Sequence, residues 1–203
     1  MPLRLLWKRR RIVSVDAGLG EAFVGGIILV IVILVLAAVF IYAASKPSTF
    51  RIARSTVINA PAATIFPLIA DFHQWPIWSP YEKLDPELKR SYGGAESGVG
   101  ATYSYEGNSK VGAGRMEVVR VEAPNLIQTK LDFSRPMVAH NLAEFTLEPK
   151  GQGTEVTWSM SGPQAFVGKV MSLVFSIDRL VGGQFEEGLA NLKAVAEAKT
   201  TDA

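Results

Sequence analysis

The sequence contains no cysteine and only two histidines, His73 and His140. The absence of cysteine excludes disulfide bonds, thiolate nucleophiles and cysteine-based metal sites. Two histidines are too few for a histidine-rich metal site, and the carboxylates lack the spacing of a metal-binding loop. The chain also contains no nucleophile elbow, phosphate loop or dinucleotide fingerprint. We therefore expect no metal and no cofactor, and the residues offer no convincing catalytic constellation.

Charge is missing from one long stretch near the N-terminus. The 24 residues between Glu21 and Lys46 carry no charged side chain. A helix rises about 1.5 Å per residue, so this stretch can cross the roughly 30 Å of bilayer hydrocarbon. The pattern predicts a transmembrane helix over 23–45, preceded by a basic arm over 1–22. A cleaved signal peptide is the alternative, although its apolar region is usually only about 7–15 residues long.

Basic residues flank this apolar segment unequally. Five precede it and three follow closely, namely Arg4, Lys8, Arg9, Arg10 and Arg11 before it and Lys46, Arg51 and Arg54 after it. Basic residues are retained on the cytoplasmic side, which places the N-terminus in the cytoplasm. We expect a single-pass protein of the cell membrane whose C-terminal domain lies outside the cytoplasm.

The remainder of the chain has no excess of positive charge. Residues 46–203 hold sixteen Lys or Arg and seventeen Asp or Glu. A nucleic-acid-binding domain would show a basic patch or stripe, and none is visible. We therefore expect no nucleic-acid partner.

Periodicity divides this part into a linker at 46–49, one domain at 50–198 and a tail at 199–203. Phe50–Asn59 alternates like a strand, and Ala62–Phe72 has the apolar spacing of a helix. The segment 73–80 is short, aromatic and rich in proline. Strands and turns follow up to Gly162, and Pro163–Ala198 is predicted to be one long helix, interrupted at Gly182 and Gly183.

Two hairpins have a register that the sequence predicts. If the first turns about Pro136, Ile127 faces Phe145 and Leu131 faces Asn141, and apolar residues share one face. The second hairpin turns at Lys150–Gly153. It places three apolar residues of the returning strand opposite three of the first, with Val156 facing Leu147, Trp158 facing Phe145 and Met160 facing Ala143.

A third hairpin predicts unfilled space. With a tight turn at Gly107–Lys110, Tyr103 and Tyr105 face Gly114 and Gly112. A ring opposite a glycine leaves room for a cavity. The alternatives are that the ring covers the glycine, or that the glycines mark a bulge.

The order of elements predicts an α+β fold. A curved antiparallel sheet of about six or seven strands wraps around the long C-terminal helix, with two short helices after the first strand. If the helix packs tightly, the interior is a core. If it stands off the sheet, the interior is a cavity.

Several segments resemble the START-like (SRPBCC) superfamily of helix-grip proteins, in its polyketide cyclase/dehydrase and lipid-transport branch. They are Ile58-Asn59-Ala60-Pro61 leading into Ile65-Phe66 and Asp71, Trp75-Pro76-Ile77-Trp78-Ser79-Pro80-Tyr81, Gly98–Tyr105, Phe145–Pro149 and Thr154–Trp158. The resemblance covers about residues 50–198. It implies a hydrophobic cavity between sheet and long helix, used by different members for lipids, polyketides, quinones or hormones. Some members catalyse cyclisation or dehydration, some carry lipid and some regulate chaperones.

On this resemblance and the strand pattern, the residues predicted to line the cavity are Trp75, Trp78, Tyr81, Tyr103, Tyr105, Met116, Leu131, Phe133, Asn141, Phe145, Trp158, Met160, Phe166, Val170, Val174, Ile177 and Phe185. Trp75, Trp78 and Tyr81 could ring its mouth, or could simply fix a short segment to the sheet by burial. Gly182 and Gly183 are either a hinge for ligand access or a passive kink.

Asp132 and His140 face one another in the hairpin about Pro136. A histidine–carboxylate pair is a common acid–base arrangement. The strand alternation places both on the face opposite Leu131, so we expect an exposed cross-strand pair.

Three functions are compatible with the sequence. The first is a membrane-anchored domain that binds a hydrophobic small molecule, lipid-like or polyketide-like. The second is a cyclase, dehydratase or hydrolase acting on a hydrophobic substrate in the same cavity. The third is a membrane-tethered protein-interaction module with a filled core.

Overall fold

The computed structural model describes residues 13–164, 166–171 and 177–201. The chain divides into two compact units, the first ending at Lys46 and the second beginning at Pro47. Residues 1–12 of the predicted basic arm lie outside the described residues.

The first unit is the helix α1, Val13–Ser45. It begins ten residues before the predicted span, so part of the predicted arm is helical. Its segment Phe23–Ser45 contains an 18-residue window with a mean hydropathy of 3.4 and is long and apolar enough to cross a membrane. A helix with these properties near an N-terminus is expected of a membrane anchor and of a signal sequence alike.

The second unit is built on a seven-stranded antiparallel sheet with the strand order β1-β7-β6-β5-β4-β3-β2. The strands are β1 Thr49–Ile58, β2 Lys89–Gly94, β3 Ala101–Glu106, β4 Ala113–Glu122, β5 Leu126–Arg135, β6 Ala139–Lys150 and β7 Gly153–Pro163. Three helical segments connect β1 to β2, namely α2 Ala62–Ala70 and two 3₁₀ turns, Phe72–Ile77 and Pro80–Lys83. Two further helices follow β7, namely α3 Phe166–Met171 and α4 Ile177–Thr201. This arrangement confirms the α+β helix-grip architecture.

The registers of the β5–β6 and β6–β7 hairpins are as predicted. Ile127 pairs with Phe145 and Leu131 with Asn141. In the second hairpin, Trp158 pairs with Phe145, and its neighbours on the same face keep the same register. The residues that share the face of Phe145 form the inner face of the sheet, which packs against α4.

The predicted register of the β3–β4 hairpin is wrong by two residues. Tyr105 pairs with Gly114 and Tyr103 with Met116. The loop is wider than the predicted turn because the Asn108 side chain accepts hydrogen bonds from the backbone N–H groups of Lys110 and Val111. Gly112 ends this loop with a φ of 75°, a conformation that favours glycine.

The long C-terminal helix also differs from the prediction. Strand β7 continues to Pro163, and helical structure is divided between α3 and α4. The predicted interruption at Gly182 and Gly183 is absent, since α4 runs through both residues. Gly182 instead makes room for Arg54, because a Cβ atom at this position would collide with the Arg54 guanidinium group.

That guanidinium group joins the edge strand β1 to α4. Arg54 donates hydrogen bonds to Glu186 at 2.6 Å and to Asp178 at 3.0 Å. These two bonds raise the pKa of Arg54 and hold the pKa of Asp178 below its usual value. The first part of α4 is thereby fixed to the sheet by ion pairs, and its later part by apolar packing.

Candidate functional site

The candidate site is the interior between the inner face of the sheet and the helices. Five aromatic side chains fill the middle of this interior, and we call them the aromatic cluster: Trp75, Trp78, Phe145, Trp158 and Phe185. Trp158 stacks on Phe185 with ring centroids 4.1 Å apart and on Phe145 at 4.9 Å. All five residues are buried. Aromatic packing of this kind contributes beyond the area that it buries.

Two members of the cluster are also fixed by hydrogen bonds. The indole N–H of Trp75 donates to the carbonyl of Ile69 at 3.0 Å, and that of Trp78 donates to the carbonyl of Leu68 at 2.8 Å. Both acceptors belong to the last turn of α2. These bonds hold the proline-rich segment to α2 and the core. Of the two roles predicted for its aromatic residues, a cavity mouth or simple packing, this contact corresponds to packing.

Burial falls steadily from this cluster towards one end of the sheet. In the row of the cluster, Phe145 is 0% and Trp158 is 3% exposed. In the next row Ala143 is 5% and Met160 8% exposed. In the two rows beyond, every inner-face residue of β5 and β6 is half-buried, namely Leu131, Phe133, Ala139 and Asn141. We call these last two rows, with Phe50 of β1 and Tyr105 of β3, the half-buried region.

Polar groups in this region are few. The Asn141 amide donates only a long contact to the Met160 sulfur at 3.8 Å. Tyr105 lies over Gly114, where a Cβ atom would come within 2.7 Å of its hydroxyl oxygen. The ring therefore covers the glycine, which was the alternative to unfilled space. Burial raises the pKa of Tyr105 to about 12, so its hydroxyl is neutral at physiological pH.

The other predicted lining residues occupy varied positions. Met116 is buried beside the half-buried region, Tyr81 lies edge-on to Trp158 at 6.4 Å, and Phe166 and Val170 of α3 are half-buried. Val174 lies outside the described residues, as does the side chain of Ile177.

A buried carboxylate that the sequence did not reveal lies beside the cluster. Glu82 accepts a hydrogen bond from the Tyr103 hydroxyl at 2.5 Å and another from the Arg90 guanidinium at 2.6 Å. Burial and the bond to Glu82 raise the pKa of Tyr103. No periodic signal marks Glu82, because it lies in a 3₁₀ turn where neither the strand nor the helix repeat applies.

Asp132 and His140 form the predicted cross-strand pair, in which His140 is exposed and Asp132 is half-buried. The His140 ring nitrogen Nδ1 lies 2.6 Å from Asp132, and the carboxylate also contacts Lys130 at 2.9 Å. Both bonds hold the pKa of Asp132 below its usual value. The pair lies on the outer face, away from the interior. Among the described residues, no group of three or more histidine or acidic side chains is placed to hold a metal ion.

Two polar atoms of the interior are buried without a partner among the described residues. They are the indole Nε1 of Trp158 and the amide oxygen of Gln184. The edge of the Trp158 indole that approaches Gly188 of α4 is the one carrying Cζ3, because a Cβ atom built on Gly188 would be closest to that atom. The unpaired Nε1 lies at the opposite edge of the indole. A buried donor or acceptor without a partner costs free energy, and native interiors seldom leave such a group unpaired.

Comparison with known proteins agrees with this geometry. Residues 49–197 match the family model described as polyketide cyclase / dehydrase and lipid transport. No curated protein matches the chain in sequence.

Three solved structures share the fold. The first is ginseng major latex-like protein 151 from Panax ginseng, with a TM-score of 0.54, 13% identity and coverage of 74% of this chain and 99% of that one. Aha1 from Colwellia psychrerythraea has a TM-score of 0.52 and 15% identity, covering 73% and 96%. A protein from Chromobacterium violaceum has a TM-score of 0.52 and 14% identity, covering 75% and 99%. The family match spans most of the chain, and the chain therefore belongs to the polyketide cyclase / dehydrase and lipid transport family.

Proposed function

We propose that the domain binds a hydrophobic small molecule, lipid-like or polyketide-like, against the half-buried region of its interior. We further propose that α1 anchors it in the cell membrane, with the N-terminus in the cytoplasm and the domain outside. The observation that carries the binding proposal is the gradient of burial along the inner face. A bound apolar molecule would complete the burial of the last two rows, each fully buried large side chain contributing about 1.5–3 kcal/mol.

The chemistry of this region suits such a ligand. Its surface is apolar apart from Asn141 and Tyr105, and pockets for small molecules combine an apolar lining with a few polar groups that set orientation. The Asn141 amide can donate and accept hydrogen bonds, and the neutral Tyr105 hydroxyl can do both. These two groups would orient a carbonyl or hydroxyl group of the ligand.

An enzymatic role has no comparable support among the described residues. The histidine–carboxylate pair lies on the outer face, and the buried Glu82 is already bound by Tyr103 and Arg90. Binding alone therefore accounts best for the arrangement.

A space-filling substitution tests the binding proposal. We expect Leu131→Trp to reduce retention of tritiated oleate or of an anthraquinone by at least tenfold, because the larger ring occupies the ligand's space. The matched control is Val119→Trp, on the outer face of β4, where the side chain is exposed. The experiment uses the full chain in amphipol.

The comparison of the two ligands separates a lipid-like from a polyketide-like preference. Phe133→Trp, one row nearer the end of the sheet, repeats the test if Leu131→Trp fails to fold. Equal retention by the inner-face and outer-face variants would contradict the proposal.

A further inference from the structure

One end of the sheet, next to the half-buried region, has several exposed features. Strand β1 begins at this end and is paired through Thr49 with Pro163, the last residue of β7. Strand β6 runs parallel to β1, so it also begins here, and the β5–β6 hairpin extends past the ends of β1 and β7. We call this the entry end of the domain, because the chain enters the sheet here.

The tip of the β5–β6 hairpin is apolar and exposed. Met137 is 76% and Val138 is 73% exposed, and among the described large apolar residues of the sheet unit only Leu180 of α4, at 75%, is comparable. Pro136 stands beside them and is also exposed. Single exposed apolar residues are ordinary, but two adjacent ones at the tip of a protruding hairpin form a projecting patch that water solvates poorly.

A groove lies beside this hairpin at the entry end, lined by residues of both faces of the sheet. It is open to solvent, has a volume of about 880 Å³ and is lined by Pro47, Thr49, Phe50, Arg51, Lys130, His140, Asn141, Leu142, Ser161, Gly162 and Pro163. The groove therefore combines apolar walls with two cationic side chains, Arg51 and Lys130.

The uncompensated positive charge of the groove lies on Arg51. Asp132 contacts both Lys130 and His140. No acidic side chain contacts Arg51 among the described residues, so the Arg51 guanidinium is available to an anion. Arginine presents a fork of N–H donors that matches the oxygens of a phosphate group.

The groove includes a residue that is close in sequence to the apolar helix. Pro47 lines the groove and follows Ser45, the last residue of α1, by two positions. Two residues span at most about 7 Å. The headgroup layer on each side of a bilayer is about 5–8 Å thick. If α1 spans the bilayer, Pro47 therefore lies within or next to the headgroups.

We propose that the entry end is a bilayer-docking surface. Arg51 binds the phosphate of an anionic phospholipid in the groove, with Lys130 beside it, and Met137 and Val138 enter the boundary between headgroups and acyl chains. This inference rests on the membrane anchoring in the proposed function. Anchoring raises the local concentration of the surface near lipid, so two cations and two apolar side chains are enough to hold it there, where alone they would bind weakly.

The absence of cysteine allows a direct test with a single label. Met137→Cys is labelled with the environment-sensitive fluorophore NBD in the full chain, reconstituted in nanodiscs of phosphatidylcholine and phosphatidylglycerol. The matched control is Gln152→Cys, at the tip of the β6–β7 hairpin, which is exposed at the opposite end of the sheet. We expect a blue-shifted emission and at least twofold quenching by spin-labelled lipid at position 137, and neither at position 152.

A second comparison tests the role of charge. In the NBD-labelled chain, Arg51→Gln should reduce quenching at position 137 in discs with phosphatidylglycerol to the level found in discs of phosphatidylcholine alone. Arg120→Gln removes an exposed cation towards the far end of β4 and should leave the quenching unchanged. Equal effects of the two substitutions would contradict phosphate binding at Arg51.

The outcomes separate docking from the other proposals. If the chain stays in the discs and both labels remain in water, docking is contradicted. Retention of oleate is measured separately and still tests the binding proposal. A chain that leaves the discs, or that has lost its N-terminal segment by mass spectrometry, contradicts the anchor and docking together. A label at position 137 that leaves water only when an acidic peptide is added assigns the surface to a protein partner and overturns the proposal.

Discussion

At the level of single side chains, the buried Glu82 carboxylate depends on its hydrogen-bond partners. Its charge is compensated by Arg90 and by the Tyr103 hydroxyl, at 2.6 and 2.5 Å. A buried charge that loses a hydrogen bond retains its desolvation cost, which is the larger part of the penalty. This network fixes the 3₁₀ turn of Glu82 to β2 and β3, and so helps to close one side of the interior.

Removing the Tyr103 hydroxyl tests this network. We expect Tyr103→Phe to lower the free energy of unfolding by about 1–3 kcal/mol, because Glu82 stays buried with one partner fewer. Tyr92→Phe is the matched control, since Tyr92 pairs with Tyr103 on the neighbouring strand and is 36% exposed. Denaturant unfolding of both variants gives the comparison, and equal losses would show that the bond to Glu82 adds nothing.

Tyr105 makes the free energy of unfolding depend on pH in the alkaline range. Burial raises its pKa to about 12 in the folded state, whereas an unfolded tyrosine has a pKa of about 10. The folded state therefore holds its proton more tightly, and this contribution is complete below about pH 10 and is lost as the pH rises through about 12. We expect Tyr105→Phe to lose less stability than the wild type over this interval, measured by denaturant unfolding at successive pH values. Parallel losses in the two proteins would contradict the burial of this hydroxyl.

Periodicity determines which interior residues could be predicted from the sequence. Phe145, Trp158 and Leu131 lie on strands whose alternation fixes their face, so their inward orientation could be predicted. Glu82 and Gln184 could not, because their burial depends on the packing of other elements. How far each row is buried also could not be predicted, since α3 and α4 determine it from outside the sheet.

Among the elements, the hairpins show when a register can be derived. The β5–β6 and β6–β7 turns place Pro136 and Gly151 at fixed points, and apolar faces then agree in only one register. In the β3–β4 loop the side chain of Asn108 organises a longer turn, and the backbone N–H of Asn108 donates a hydrogen bond to the Asp85 carboxylate at 2.6 Å. That contact comes from a residue 23 positions earlier, so no local rule could supply it.

The two adjacent glycines of α4 provide a test of its packing. Gly183→Ala should stabilise the domain by up to about 1 kcal/mol, because alanine has the higher helix propensity and nothing lies within 4 Å of the new Cβ atom. Gly182→Ala should forfeit that gain, because its Cβ atom displaces the Arg54 guanidinium from Asp178 and Glu186. Thermal unfolding of the pair measures the difference. Equal stabilisation by both substitutions would show that Arg54 does not hold α4 to β1.

In the domain as a whole, the half-buried region and the proposed docking surface lie at the same end. Burial on the inner face decreases towards the β5–β6 hairpin, and the exposed Met137 and Val138 stand at its tip. The aromatic cluster closes the middle of the interior. A hydrophobic molecule that exchanges with a bilayer would therefore pass through the entry end and would meet the cluster as the floor of its site.

Native mass spectrometry of the full chain, released from detergent after purification from membranes, tests the binding of this molecule most directly. We predict a second species whose added mass is that of one apolar small molecule, present in the wild type and in Val119→Trp and absent from Leu131→Trp. A wild-type chain that carries no added mass and takes up neither oleate nor the anthraquinone would contradict the account.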